Sequence, residues 1–388
     1  MRRLSKWAFV HWNAARLYSL AHPRARRCRS QGTIATRADR RRRVCMSKRG
    51  TILPAGFRQA GDPKSRLPLH APLCELLNMK ICILGAGAVG TSFAVYFAVA
   101  GHDVTLVARG ARLDKLTRDG GVIATSPPTT PTPARVTVAT AVDPSCAWDL
   151  VVVTVLAHQL DAALLAVLKS CPDSATVMFM FTTLAPLDEY RNAVGASRCV
   201  FGFPIIDARF VEPDGALEHV FLSTGGMRTL VTDDRWCGVL AAAGIPTKLE
   251  PADLMQSWHR THAGLSIGMV GIMTRAAARN GGVSWAEASL AARASYGALS
   301  VVRRAGDRVT PAPIAAVLAM PNAVLAALFW IASRWSSQRD RIKSLGTREY
   351  VALTEALLRL AERVGAPAED AAAVRELREV ALGSSSSS

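Results

Sequence analysis

Gly85, Gly87 and Gly90 stand at G-x-G-x-x-G spacing, directly after the apolar run MKICIL and at the head of AVGTSFAVYFAVAG. A short strand running into a helix is the setting a phosphate-binding turn requires. The first glycine permits the tight turn, the second lets the backbone approach a pyrophosphate, and the third lets helix and strand pack closely. Ala86, Ala88 and Val89 complete the loop, and the first helical amides would face the anion. A glycine-rich turn with no ligand is the plainer alternative. The next telling position is the tip of the second strand, where a carboxylate would bind ribose hydroxyls. HDVTLVARG instead has Asp103 at the far end of that strand and Arg109 at its tip. A guanidinium can grip a 2′-phosphate bidentately. Such a contact is worth ~1.5–3 kcal/mol, or roughly ten- to hundred-fold in affinity. A solvated surface arginine is the alternative. NADP(H) is the expected cofactor.

Hydrophobic periodicity supplies the elements that must position this loop. Apolar runs at residues 80–84, 103–107, 149–155 and 176–181 predict strands, with helical stretches at 88–100 and 159–168 between them. LVVVTV is apolar at successive positions, which suits a parallel strand covered on both faces. Residues 199–206, 218–223 and 228–231 predict further strands. Beyond LEPADL, at 249–254, the texture turns wholly helical. Residues 255–278, 284–304, 314–333, 348–364 and 368–382 are rich in Ala, Leu and Arg, with Gly and Pro punctuation between them. The expected fold class is α/β. A Rossmann-type doubly wound sheet spans residues 79–250, an all-α domain follows over 251–382, and a serine-rich tail closes the chain at 383–388. Residues 309–333 carry no charge and are long enough to cross a bilayer. Pro321, in the middle of that run, would break a helix there, so two shorter buried helices, or a face against a second subunit, fit better.

The chain carries a formal charge of +17, but the excess is local. Residues 1–78 hold 18 bases and three acids (Asp39, Asp62 and Glu75), leaving 29 bases and 27 acids for the body. A basic pI therefore implies no nucleic-acid partner for the body of the chain. Three origins fit the basic leader: a transit peptide, a nucleic-acid-binding arm, or a translated upstream region ahead of a true start at Met79 or Met46. The expected compartment is the cytoplasm, or an organelle if the leader is a transit peptide. Eight scattered cysteines without C-x-x-C spacing suit a reducing compartment.

Most of the chain from Met79 to Leu382 resembles the ketopantoate reductases (2-dehydropantoate 2-reductases), enzymes of pantothenate biosynthesis. The GAGAVG loop, the VARG strand end, DLVVVTV, FGFPIIDARFVEPDG and the helical second domain carry the likeness. The resemblance implies reduction of a small 2-oxo acid with NADPH, in a cleft between two domains. It also implies roles for particular residues. The family's W-x-K-x-x-x-N pattern matches SWHRTHAG, with Trp258 kept, Arg260 at the lysine position and Gly264 at the asparagine position. Thr182 and Thr183 stand where the family has an Asn-Gly turn, and Leu156 where it often has lysine. Glu349 falls on the substrate-binding glutamate and Ser337 near the substrate-contacting serine.

These departures bear on the chemistry. Reducing a ketone creates an alkoxide that must be stabilised and protonated. A lysine of lowered pKa can do both, whereas arginine can polarise the carbonyl or clamp a carboxylate but holds its proton too tightly. Loss of a general acid costs typically ~10²–10⁴ in rate. At 100° per residue His259 lies a quarter-turn from Arg260 and is the nearer substitute acid, while His262 points away. A histidine on a partly buried helix is also an ordinary core residue, and no third ligand makes a metal site. The expected site is therefore Arg260, Glu349 and His259 for catalysis, with Ser337, Thr182 and Thr183 orienting substrate. The competing function is an NADP(H)-binding sensor or scaffold without turnover. No membrane partner is expected, and the apolar helices of the second domain suit a homodimer.

Overall fold

The computed structural model describes residues 78–126, 133–211, 215–223, 227–345 and 347–383. The basic leader, apart from Asn78, and the serine run at 384–388 lie outside the described residues. Strand β1 (Lys80–Leu84) leads through the glycine loop into helix α1 (Ala88–Val99), followed by β2 (Asp103–Val107) and α2 (Gly110–Arg118). Two short strands, β3 (Val122–Ile123) and β4 (Ala134–Arg135), pair with each other before β5 (Thr137–Ala139). Then come β6 (Leu150–Val153), α3 (Ala162–Ser170), β7 (Thr176–Phe179), α4 (Leu187–Val194) and β8 (Cys199–Phe203). The hairpin β9 (Ile206–Val211) and β10 (Ala216–Phe221) precedes β11 (Thr229–Val231), α5 (Asp234–Ala242) and β12 (Thr247–Leu249).

The main sheet has the order β12-β11-β8-β7-β6-β1-β2-β5. The run from β5 to β8 is parallel and β11 joins β8 antiparallel. Both faces are covered, as the apolar runs require. Ile81 and Ile83 of β1 pack with Phe93 and Phe97 of α1, whereas Cys82 and Leu84 point to the opposite core with Leu168 and Tyr190. From β1 the chain moves outward to β2 and β5, then crosses back to β6 on the other flank. That reversal opens a crevice beyond the carboxyl ends of β1 and β6, the usual ligand position in such sheets.

One expected strand divides. Residues 199–206 do not form a single element, because the chain leaves the sheet at Pro204, which has no N–H to donate, and continues into the separate β9–β10 hairpin. Beyond β12 only helices follow: α6 (Ala252–Ala278), α7 (Trp285–Arg304), α8 (Ala312–Ala315), α9 (Asn322–Ala332), α10 (Ser336–Leu345), α11 (Arg348–Arg363) and α12 (Ala368–Leu382). The α7 start is fixed by a capping box, with Ser284 and Glu287 each accepting the other's backbone N–H. Small residues let α6 approach its neighbours: a Cβ on Gly268 would fall 1.9 Å from Ser295 Oγ of α7. The uncharged run at 309–333 breaks at Pro321 into α8, a short 3₁₀ turn and α9, and among the described residues no helix is long and apolar enough to cross a membrane.

Candidate active site

The glycine loop is built for a close approach. Gly85 has φ +117°, a conformation that side chains strain to adopt. Its amide donates to the Val107 carbonyl at 3.3 Å, tying the loop to the end of β2. Gly90 has no room for a side chain, since a Cβ there would lie 2.0 Å from the Gly85 carbonyl oxygen and 2.4 Å from Thr154 Oγ1. Around Gly87 the space is open to at least 4 Å. Helix α1 starts at Gly87 with no side-chain cap and no acid in its first turn, so its leading amides remain for an anion. A pyrophosphate fits this cradle: tight where backbone must meet backbone, open where a ligand must lie. Ala86, Ala88 and Val89 line the same turn, Ala86 buried and the other two half-buried.

Thr154, one residue past β6, is a site residue the sequence reading missed. Its hydroxyl reaches the carbonyls of Leu84 and Gly85 at 3.2 and 3.0 Å, so the strand across the crevice pins the loop. A hydroxyl at the tip of an otherwise apolar DLVVVTV run is the signal that could have shown it. Arg109 is exposed at the N-cap position of α2, and among the described residues its guanidinium has no partner. Three residues on, Arg112 lies 4.1 Å over the Phe210 ring.

The expected catalytic residues are placed differently from one another. Arg260 is buried, with Nε donating to the Leu184 carbonyl at 3.0 Å and Nη1 to Asp307 Oδ2 at 2.6 Å. Asp307 also accepts from Ser257 Oγ at 3.1 Å. One turn earlier, Gln256 accepts the Leu187 amide and donates to the Ala185 carbonyl, at 2.7 and 3.1 Å. The α6 face carrying Gln256 and Arg260 thus clamps the loop after β7, and the guanidinium at the family's lysine position is already ion-paired. Asp307 and Gln256 were missed by sequence because their partners lie tens of residues away.

His259 is 1% exposed, its ring 5.6 Å from Phe203, and burial drives its pKa down to about 3. His262 lowers it further, while the Phe181 backbone pulls the other way without a hydrogen bond of ordinary geometry. His262, one turn on along the same helix face, packs on the same ring at 4.5 Å. Gly264 rests against Ala298 and Leu299 of α7, inside the helical layer. Thr183 is buried, its hydroxyl 3.2 Å from that of Tyr190 and accepting the Ala185 amide, whereas Thr182 is half-buried beside it. Glu349 lies in the first turn of α11, where burial pushes its carboxyl up. Its neighbour Tyr350 meets Gly271, eleven residues from Arg260 and about 16 Å along α6 at 1.5 Å per residue. Ser337 is on α10, and its side chain lies outside what the structure describes. Among the described residues no cluster of ligating side chains could hold a metal.

A buried neutral histidine makes stability depend on pH. The folded state holds His259 well below the ordinary 6.5, so the unfolded chain binds more protons between those values. Stability is full above pH ~6.5 and falls as the pH drops towards 3, by up to ~1.4 kcal/mol per pH unit from this group. Urea unfolding between pH 4.5 and 6.5 should show that slope, and His259→Gln should reduce it, leaving the share of His219, which burial lowers to about 4. An unchanged slope would place the effect elsewhere.

Residues 81–224 match the family model described as Ketopantoate reductase PanE/ApbA. Over this stretch the chain is similar to the ketopantoate reductases. The family comprises oxidoreductases acting on CH–OH groups. Solved structures share the fold of this stretch and of the helices after it. A PanE/ApbA family ketopantoate reductase from Ralstonia eutropha JMP134 superposes with a TM-score of 0.58 at 18% identity, covering 79% of this chain and 99% of that one. A 2-dehydropantoate 2-reductase from Geobacter metallireducens GS-15 gives 0.59 at 15%, covering 79% and 100%. D-mandelate dehydrogenase, solved with NADH and anilino(oxo)acetate, gives 0.58 at 18%, covering 79% and 97%. No curated protein matches the sequence.

Proposed function

We propose that the protein is an NADP(H)-dependent oxidoreductase that reduces the carbonyl of a small 2-oxo acid. One observation carries it above the others: the uncapped α1 N-terminus stands over an open Gly87 cradle at the reversal of the sheet, with Arg109, which has no partner among the described residues, at the neighbouring strand tip. Gly85, Gly87 and Gly90 would hold the pyrophosphate and Arg109 the 2′-phosphate. When bound, the cofactor supplies hydride. Thr182, Ser337 and Glu349 would orient the substrate, and the raised pKa of Glu349 favours a carboxyl able to donate a hydrogen bond. Arg260, held on Asp307 and the Leu184 carbonyl, would position rather than protonate. That same pairing favours a second function, an NADP(H)-binding sensor without turnover.

Titrating residues 79–388 with NADPH, then following its oxidation over branched and linear 2-oxo acids with ketopantoate first, separates the two. We expect NADPH to bind and Arg109→Glu to weaken it roughly ten- to hundred-fold relative to NADH. Turnover that disappears in Glu349→Gln would support the enzyme, and tight binding with no oxidation of any acid the sensor. Failure to bind NADPH would sink both.

A further inference from the structure

The last turn of α7 and the loop after it carry three charged residues that the cofactor site does not use. Arg303, Asp307 and Arg308 line an open cavity of about 470 Å³, with Val309, Ala315 and Ala319 as its apolar wall. That volume is within the range of small-molecule sites. The charges do not cancel. Asp307 is ion-paired with Arg260 behind the cavity, whereas among the described residues the guanidinium groups of Arg303 and Arg308 have no partner. Arg303 alone would be an ordinary complement to the α7 C-terminus. Arg308 lies beyond the helix, and its backbone is fixed from both sides: its amide donates to Ser257 Oγ at 3.1 Å, and its carbonyl accepts from Thr261 Oγ1 at 3.4 Å. Ser257, Arg260 and Thr261 occupy one face of α6, and Arg260 continues to Leu184 in the loop after β7. The cavity therefore abuts the junction between the sheet and the helices. The wall comes from the N-terminal part of the uncharged run at 309–333.

We infer that this cavity grips the acid end of the substrate: Arg303 and Arg308 bind a carboxylate while Val309, Ala315 and Ala319 receive a compact apolar body. The inference rests on the 2-oxo-acid reading above and moves the carboxylate contact from Arg260 to two other arginines. Two guanidinium groups facing one carboxylate form charge-assisted hydrogen bonds, and a wall of small side chains suits a branched aliphatic chain better than a polar one. Calorimetric titration of the full-length protein with 2-oxoisovalerate, with and without NADPH, tests it directly and needs no turnover. Wild type should bind the acid at least about tenfold more tightly than the uncharged 2-oxo amide of the same skeleton, and added salt should weaken the acid. Arg303→Gln/Arg308→Gln should lose at least about tenfold for the acid, Arg308→Lys less, while NADPH affinity stays as in wild type. Equal affinity for acid and amide, an affinity unchanged in the double variant, or no binding of the acid to wild type would each overturn the inference. Equally tight binding of inorganic phosphate would do so too, since the apolar wall would then contribute nothing. Loss of NADPH binding instead counts against the oxidoreductase function and leaves the acid titration to decide the cavity.

Discussion

Gly90→Ala should abolish cofactor binding and weaken the fold, because its Cβ would sit 2.0 Å from the Gly85 carbonyl oxygen and 2.4 Å from Thr154 Oγ1. Neither atom is the free end of a flexible chain. The carbonyl belongs to the turn itself, and the Thr154 hydroxyl is held there by its bonds to Leu84 and Gly85. Accommodating one methyl means moving α1 away from β1, at an overpacking cost of about 1–3 kcal/mol, and misplacing the amides that would meet the pyrophosphate. Gly87→Ala is the control. Its Cβ meets nothing within 4 Å, so the protein should keep its thermal midpoint within a few degrees while NADPH affinity falls at least about tenfold. Differential scanning fluorimetry and a fluorescence titration on both variants give the two readouts. Equal loss of stability in the two would mean that the open face of Gly87 is not where a ligand lies.

Asp307→Ala should be the most damaging change in the helical domain. It leaves the Arg260 guanidinium buried against Leu184 without its carboxylate and deprives Ser257 of an acceptor. Both ion-pair partners are about nine-tenths buried, at 9% and 8% side-chain exposure. Removing one partner of such a pair costs about 3–5 kcal/mol, because the remaining charge stays desolvated. Replacing both by apolar residues of similar volume, as in Arg260→Met/Asp307→Leu, should recover most of that loss. Urea unfolding of the two single variants and the double variant measures the coupling. A cost below about 1 kcal/mol for Asp307→Ala would show the pair to be solvated and the clamp on the loop to be weak.

The two predictions draw on different kinds of information. Gly90 was legible in the chain itself, since a strand, a glycine at fixed spacing and a helix are contiguous and local geometry dictates the turn. The same holds for most of the parallel sheet, whose strands read as continuous apolar runs, and for Arg109 at the end of β2. Most helices after residue 250 were visible from their periodicity, and Pro321 marked the break in the uncharged run, but α10 was not among those expected. Short elements were lost. Strands β5 and β12 have three residues each, too few for a periodic signal, and their membership of the sheet depends on β2 and β11 beside them.

The site beyond the glycine loop was decided by tertiary structure. Family spacing put Arg260 at a catalytic position, but the role of that guanidinium depends on Asp307, 47 residues away, and on a carbonyl 76 residues in the other direction. Helical geometry set His262 away from Arg260 and, three residues on, on one face with His259, but only the tertiary structure shows that both rings pack on Phe203. Thr154 reads as one more β-branched strand residue until β6 is seen lying beside β1. By itself the sequence determined a tight glycine-rich strand–helix turn and the order of its supporting elements, because backbone sterics and hydrophobic period are properties of neighbouring residues. Which charges are paired and buried, and which are left facing a cavity, was decided only by folding, because pairing and desolvation depend on distance in space.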